Sequence, residues 1–401
     1  MSRFRSYPTA EQEVLLLEQC GHARYVWNLG LEQRLMWRRW QGPTPGLTEQ
    51  NRQLTEARAA EPWLADGSVT VQQQALRDLD QAWRNFFAGT HRRPTWRRRD
   101  RHEGFRIVGA QALRIRKDNR RWSAVLVPKV GWVKVRRTRD LPDRKSYRIR
   151  RDRAGRWHLA LAAVPAPVPA PGTGEVVGVD RGVVVAVALS TGEMTSPAGL
   201  RPKEAERLLR LQRRLARAER GSNRRAEVKA AIARLAAREA DRRKDRVEKT
   251  STDLARRFDL IRVEDLQVLA MTRSARGTLD APGRNVRQKA GLNRSILAKG
   301  WGLLVARLEH KAPGRVEHVP APYSSQRCNR CGHVDPNSRK SQAEFGCTSC
   351  GFRCNADHNA AMNIADGNPA GGRTVAARGD RVTSARSVKR EPQRNRPPKV
   401  A

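Results

Sequence analysis

Cysteine is scarce and confined. The chain carries six cysteines in 401 residues, and five of them fall within Cys328–Cys354. Such clustering argues against a disulfide scaffold and for a metal site in a reducing, cytoplasmic setting. Long apolar runs are missing too: no stretch approaches the roughly 18 residues needed to span a bilayer. The opening Met1-Ser2-Arg3-Phe4-Arg5 is polar and basic with no apolar segment behind it, so no secretory or membrane segment is expected. Acidic residues are in deficit, 40 Asp and Glu against 80 Lys and Arg, for a formal net charge of +40. A single-sign excess of that size repels itself in a compact globule, and a nucleic acid is the polyanion that would balance it. A solubilising surface or a membrane-facing patch is the bland alternative. The basic residues run along the whole chain, however, and not in one juxtamembrane block. Arginine outnumbers lysine, which suits forked contacts to phosphate, although a GC-rich coding bias would give the same pattern.

The pattern of the chain points to an α/β multi-domain protein. A short strand over 3–8 precedes helical sequence over about 9–89, where Val14, Leu17, Cys20, Ala23, Val26, Leu29 and Leu35 recur at helical spacing. Gly42-Pro43-Thr44-Pro45-Gly46 interrupts it. From about Gly104 the texture turns to short strands, including Val125–Val127, Trp132–Val135 and Trp157–Leu161. Helices followed by strands suggest a small N-terminal β-barrel carrying a helical insertion, over 1–172. The Pro-Ala run at 165–172 reads as a stiff, extended linker and the best domain boundary. A second domain, 173–366, opens on Val176-Val177-Gly178-Val179-Asp180, followed by an expected strand over Val183–Leu189. Leu208, Leu211 and Leu215, then Val228, Ile232 and Leu235, form the two stripes of a helical hairpin broken at Gly221-Ser222-Asn223. Its Arg-dense outer faces are either solvated or turned to nucleic acid. Another strand, Leu260–Glu264, follows. The tail, 367–401, is rich in Gly, Pro, Ser and Arg without apolar periodicity and is expected to be disordered.

The sharpest local signal is Cys328-Asn329-Arg330-Cys331 with Cys347-Thr348-Ser349-Cys350, the paired Cys-x-x-Cys spacing of a zinc ribbon at about 323–354. Four thiolates complete a closed tetrahedral site, and Gly332 and Gly351 permit the tight knuckles, so the zinc is expected to be structural. Cys354 is a possible substitute ligand. A closed site does not itself cut phosphodiesters, which turns attention to carboxylates at strand ends. Asp180 and Glu264 end apolar strands, and Asp357 stands at the start of a helix just past the ribbon. Three acids could hold two divalent ions about 4 Å apart, magnesium or manganese by their preference for hard oxygen ligands. Each also has a plainer reading: Asp180 in a turn, Glu264 paired with an arginine, Asp357 as a helix N-cap.

The order of these acids around the ribbon resembles the TnpB (OrfB) family of insertion-sequence-encoded RNA-guided nucleases, related to the type V CRISPR effectors. The resemblance runs to about Ala365. It is carried by Tyr7–Gln12, Gly21–Asn28, Trp83–Phe87, Leu126–Val133, Leu292–Leu297, Tyr323-Ser324-Ser325-Gln326 and Asn359–Ile364. It implies an RNase H-like (RuvC) nuclease core with an inserted zinc ribbon, in which Asp180, Glu264 and Asp357 are the catalytic, magnesium-binding carboxylates. It also implies a guide RNA on the N-terminal region, a guide–target duplex on the helical insertion, and target double-stranded DNA cut beside a short flanking motif. The setting would be prokaryotic and nucleoid-associated when bound to DNA. Ser324 stands where threonine is usual, and Cys354 where a polar residue is common. Members that lost the acids act as guided repressors, so the intact acids imply cleavage.

Arg92-Arg93-Pro94-Thr95-Trp96-Arg97-Arg98-Arg99 is a candidate nucleic-acid backbone clamp, or else an exposed loop with an anchoring tryptophan. His358, beside Asp357, could touch substrate. Three rivals stay open: a catalytically silent RNA-guided DNA-binding protein, a transposase performing strand transfer, and a compact CRISPR-associated relative that only genomic neighbourhood would separate.

Overall fold

Short apolar strands separated by turns build a first sheet, and one long helical excursion between its strands supplies most of its cover. In the computed structural model, β1 (Ser2–Tyr7) leads into α1 (Ala10–Met36), α2 (Leu47–Ala60), α3 (Pro62–Asp66) and α4 (Val69–Phe87). There follow β2 (Gly104–Val108), α5 (Ala110–Leu113), β3 (Ile115–Lys117), β4 (Trp122–Val127), β5 (Gly131–Arg136), β6 (Ser146–Arg151) and β7 (Trp157–Leu161). Residues 2–38, 40, 42–143, 145–163, 165–195 and 199–368 are described. The expected disordered tail lies outside the described residues beyond Asn368. The 27-residue α1 starts where Thr9 accepts from the Gln12 backbone while the Gln12 side chain reaches back, a reciprocal cap legible as Thr-x-x-Gln.

The seven strands pair antiparallel in the order β2-β6-β7-β1-β5-β4-β3. β1 is shared: Ser2–Arg5 pair with β7, while Ser6 and Tyr7 pair with β5. Inward-facing Phe4, Ile107, Val133 and Leu159 merge with Leu16, Leu31 and Leu79 of the helices into one core. Residues 165–172 hold no regular structure, and they are tied down: the Val168 N–H donates to the Lys311 carbonyl, and its own carbonyl accepts from Arg315.

The second sheet is built from β8 (Val176–Asp180), β9 (Val187–Leu189), β10 (Met194–Thr195), β11 (Leu260–Glu264) and β12 (Val316–Val319), in the order β10-β9-β8-β11-β12. β8, β11 and β12 run parallel; β9 is antiparallel to β8, and β10, antiparallel to β9, runs with the parallel set. The strand expected over Val183–Leu189 is shorter, because the chain folds back on itself first: a Cβ at Gly182 would lie 2.5 Å from the Val185 carbonyl oxygen. Between β10 and β11 run α6 (Pro202–Arg217) and α7 (Asn223–Arg257). Their stripes close on one another through Leu211, Val228 and Leu235, and Ser222 caps α7. After β11 come α8 (Val268–Met271), α9 (Val286–Lys299) and α10 (Trp301–Lys311). A small hairpin, β13 (Glu344–Gly346) and β14 (Arg353–Asn355), then precedes α11 (Ala356–Ala365).

Alternation along the strands sorts the two faces of this sheet. Val177, Val179, Ile261 and Val263 pack with Leu254 and Phe258 at the end of α7 and with Leu304 and Leu308 of α10. The alternate positions, Gly178, Asp180, Arg262 and Glu264, share the opposite face, against which α11 packs. No helix among the described residues is long and apolar enough to cross a membrane.

Candidate active site and metal centre

Asp180 and Glu264 are the last residues of β8 and β11, neighbouring parallel strands in which Val179 and Val263, one residue earlier, are partners. They therefore stand side by side on the α11 face. Asp357 arrives from the first turn of α11, where Asn355, and not Asp357, is the N-cap: its side chain accepts from the backbone of Asp357 and His358. Burial pushes the Asp180 carboxyl up to about 7, and the charges of Glu264 and Asp357 push the same way. Burial also raises Glu264, against the pull of the Ser324 hydroxyl, Arg181 and Arg339. Ser324 Oγ donates to Glu264 Oε1 at 2.6 Å, and Arg181, itself buried, reaches the Glu264 backbone carbonyl. Asp357 has a direct ion pair, to Arg339 at 3.1 Å. Buried carboxylates whose charges act on one another, flanked by Arg181 and Arg339, make a donor set suited to divalent cations with oxygen ligands.

The approach of α11 depends on a glycine. A Cβ on Gly178 would lie 2.0 Å from the Ala361 carbonyl oxygen and 2.4 Å from the Ala365 nitrogen, so only glycine lets the helix lie against β8. The helix then organises the ribbon through buried asparagines. Asn359 donates to the Arg327 carbonyl at 2.7 Å, and Asn363 to those of Ser324 and Arg327 at 2.8 and 2.7 Å. The Asn329 N–H, inside the first Cys-x-x-Cys turn, donates to Asn359 Oδ1 at 3.1 Å. His358 is spent on structure, its Nε2 lying 3.1 Å from the Ser190 carbonyl.

Cys328, Cys331, Cys347 and Cys350 bring four sulfurs within 4.8 Å of one another. Gly332 and Gly351 follow the two pairs at φ 78° and 72°, where a side chain would be strained. Backbone N–H groups of Cys350 and Ser349 pull the Cys347 thiol down to about 6, whereas burial holds Cys328 up at about 12. Four convergent sulfurs suit a closed, tetrahedral structural site. Cys354 stands apart on β14 and is not among the four.

The basic segment 92–99 divides. Arg92, Arg93, Trp96, Arg98 and Arg99 are exposed. Arg97 is largely shielded: its guanidinium lies 3.7 Å from the Trp27 ring centroid, and its backbone exchanges two hydrogen bonds with Asn28. Burial pulls its pKa down to about 10, so Arg97 anchors the segment to α1. Sequence reasoning assigned no role to Arg181, Arg339, Asn359 or Asn363. Arg181, next to Asp180 at a strand end, carried a positional signal, whereas Arg339 is one arginine among many.

Comparison with known proteins agrees with this organisation. A family model described as "Probable transposase" matches residues 158–275, a "Cas12f1-like, TNB domain" matches 301–364, and a "Helix-turn-helix domain" matches 2–41. In this chain the last span holds β1 and the single long α1. A protein of Escherichia coli K12 named "Putative RNA-guided DNA endonuclease InsQ" is 36% identical over 336 residues, 82% of this chain and 81% of that protein. A "Putative RNA-guided DNA endonuclease" of Streptomyces pristinaespiralis is 33% identical over 412 residues, covering 98% and 96%. A "CRISPR-associated endodeoxyribonuclease Cas12f1" of Sulfoacidibacillus thermotolerans is 49% identical over 51 residues, 13% of this chain and 12% of that one. With two such relatives aligned over most of their length, the chain belongs to the TnpB (OrfB) family of insertion-sequence-encoded proteins.

Proposed function

We propose that this protein is an RNA-guided, metal-dependent DNA endonuclease associated with a transposable element. The observation that carries the reading is that Asp180 and Glu264 end adjacent strands, Asp357 lies in the first turn of α11, and the charges of Glu264 and Asp357 add to burial in pushing Asp180 up to about 7. The order β10-β9-β8-β11-β12, in which β9 alone runs against the other four strands, supports an RNase H-like (RuvC) core over 173–366. The seven-stranded antiparallel sheet, with β1 shared between β7 and β5, supports a barrel with a helical insertion over 1–172. The names of the two relatives aligned over most of the chain support guided DNA cleavage.

On this reading the three carboxylates hold magnesium, or manganese in its place. Divalent ions held by Asp180, Glu264 and Asp357 would supply the Lewis acidity needed for in-line phosphoryl displacement by water. The chain's own residues set the place: Gly178 admits α11, Asn355 fixes its first turn, and Arg339 holds Asp357 beside the other acids. Zinc on Cys328, Cys331, Cys347 and Cys350 holds the ribbon, and so the loop that carries Ser324. Arg92, Arg93, Trp96, Arg98 and Arg99 would contact nucleic-acid backbone, with Arg97 anchoring them. A guide RNA would choose the target by pairing, with protein contacts reading a short flanking motif on double-stranded DNA.

Sequencing the RNA that copurifies from a host expressing the native locus, followed by guided plasmid cutting with and without magnesium, tests the proposal. Asp180→Ala and Glu264→Ala are expected to abolish cutting while RNA and target binding persist. Binding without cleavage by the wild-type protein would instead identify a silent guided binder. The family description "Probable transposase" favours a second reading, strand transfer, for which joined DNA products formed without any guide are the signature.

A further inference from the structure

Ser324 is held in place by more machinery than its size warrants. It is 5% exposed, and its hydroxyl bonds Glu264, 60 residues away in sequence, at 2.6 Å. The residue before it, Tyr323, has φ 66°, a left-handed backbone that a bulky side chain seldom adopts. Tyr323 is 52% exposed, so burial of the residue does not account for that conformation. The N–H groups of Gln326 and Arg327 both bond the Tyr323 carbonyl at 2.9 Å and hold the turn. Buried amides take up the loop's other carbonyls: Asn368 donates to Pro320 and Pro322, and Asn363 to Ser324 and Arg327. Asn363 lies on α11, the helix that also delivers Asp357. One helix therefore references both Asp357 and the hydroxyl that meets Glu264.

Tethering the ribbon would explain the asparagine bonds. It does not explain a hydroxyl aimed at a buried carboxylate, where alanine would fill the same space without needing a partner. From this geometry we infer that Ser324 is a positioning residue for metal binding. Its hydroxyl fixes the Glu264 carboxylate through Oε1 and leaves Oε2 free of protein donors among the described residues. The inference rests on the proposed reading of the three acids as a divalent-cation site. Fixing a ligand's orientation before the ion arrives removes an ordering cost from binding, as partners of metal ligands do generally.

The test uses the full-length, zinc-loaded chain without RNA, titrated with manganese and followed by the electron paramagnetic resonance of the free ion. Guided plasmid cutting is then measured against magnesium concentration. Ser324→Ala is expected to weaken manganese binding about tenfold, the low end of the loss seen when a ligand's supporting bond is removed. The magnesium midpoint of cutting should rise by a similar factor, with much of the rate returning at saturating ion. Ser324→Thr keeps the hydroxyl and should stay close to wild type, as should the neighbouring Ser325→Ala. If the alanine variant melts early, Ser324→Cys, similar in size and a weak donor, carries the same comparison and should bind manganese more weakly than Ser324→Thr. Unchanged manganese binding in the alanine variant would overturn the inference. So would an equal loss in the threonine variant with zinc content and melting intact. A Glu264→Ala chain that still binds manganese normally marks a different failure, that of the acid-site reading itself.

Discussion

At the residue scale the informative group is Asp180, whose carboxyl is pushed from an ordinary 3.8 up to about 7. In the metal-free protein it holds a proton near neutrality that an incoming cation must displace. Manganese or magnesium affinity should therefore fall, by up to about tenfold per pH unit, as pH drops below about 7, and level off above it. Calorimetric or resonance titrations between about pH 6 and about pH 8 would show it, and a flat profile would remove Asp180 from the site. The same shift has an opposite sign for stability. Between about 4 and 7 the folded chain keeps a proton that the unfolded chain has released, so Asp180 makes the metal-free fold less stable as pH rises through that window. Bound cation reverses this contribution by stabilising the charged form.

At the element scale the site depends on how closely α11 lies to β8. Gly178→Ala places a methyl 2.0 Å from the Ala361 carbonyl oxygen, backbone that cannot rotate away. A loss of about 3 kcal/mol or more is expected in denaturant melts, at or beyond the usual range for overpacking, together with a severe loss of cutting. The ribbon is joined to the same helix through Asn329 and Asn359. Chelating zinc, or Cys328→Ser, should therefore do more than unfold a remote module. It should release one zinc per chain and also weaken manganese binding, because the loop bearing Ser324 and the turn bearing Arg339 lose their anchor. Zinc loss with unchanged manganese affinity would show the two centres to be independent.

Over the whole molecule the governing quantity is the net charge of +40. Internal ion pairs such as Arg34–Asp80 and Arg242–Glu204 leave it unchanged, since the 40 acids are already counted in that balance. Much of the arginine on α6 and α7 faces solvent while their leucines and valines close on each other. Self-repulsion is screened by salt. The RNA-free chain is thus expected to melt at higher temperature in about 0.5 M than in about 0.1 M salt. The RNA-bound chain should show the reverse, since counterion release makes its affinity fall steeply with salt. Melting curves with and without RNA at the two concentrations decide it, and parallel shifts would sink the charge-balance argument.

Much of this was legible because it is local. The Cys-x-x-Cys pairs, the leucine and valine stripes of α6 and α7 and the strands ending at Asp180 and Glu264 are each written in adjacent residues, where spacing and alternation fix the geometry. Family resemblance supplied what spacing could not, the grouping of Asp180, Glu264 and Asp357. The tertiary structure alone decided what depends on distant segments meeting. Asn355 caps α11 in place of Asp357, Arg97 lies under Trp27 instead of in solvent, and the strand expected from Val183 begins only at Val187 after Gly182 turns the chain. Ser324 and Arg339 acquire partners 60 and 18 residues away. No periodicity in the sequence encodes those meetings, because they are set by how α11 and the ribbon pack on the sheet.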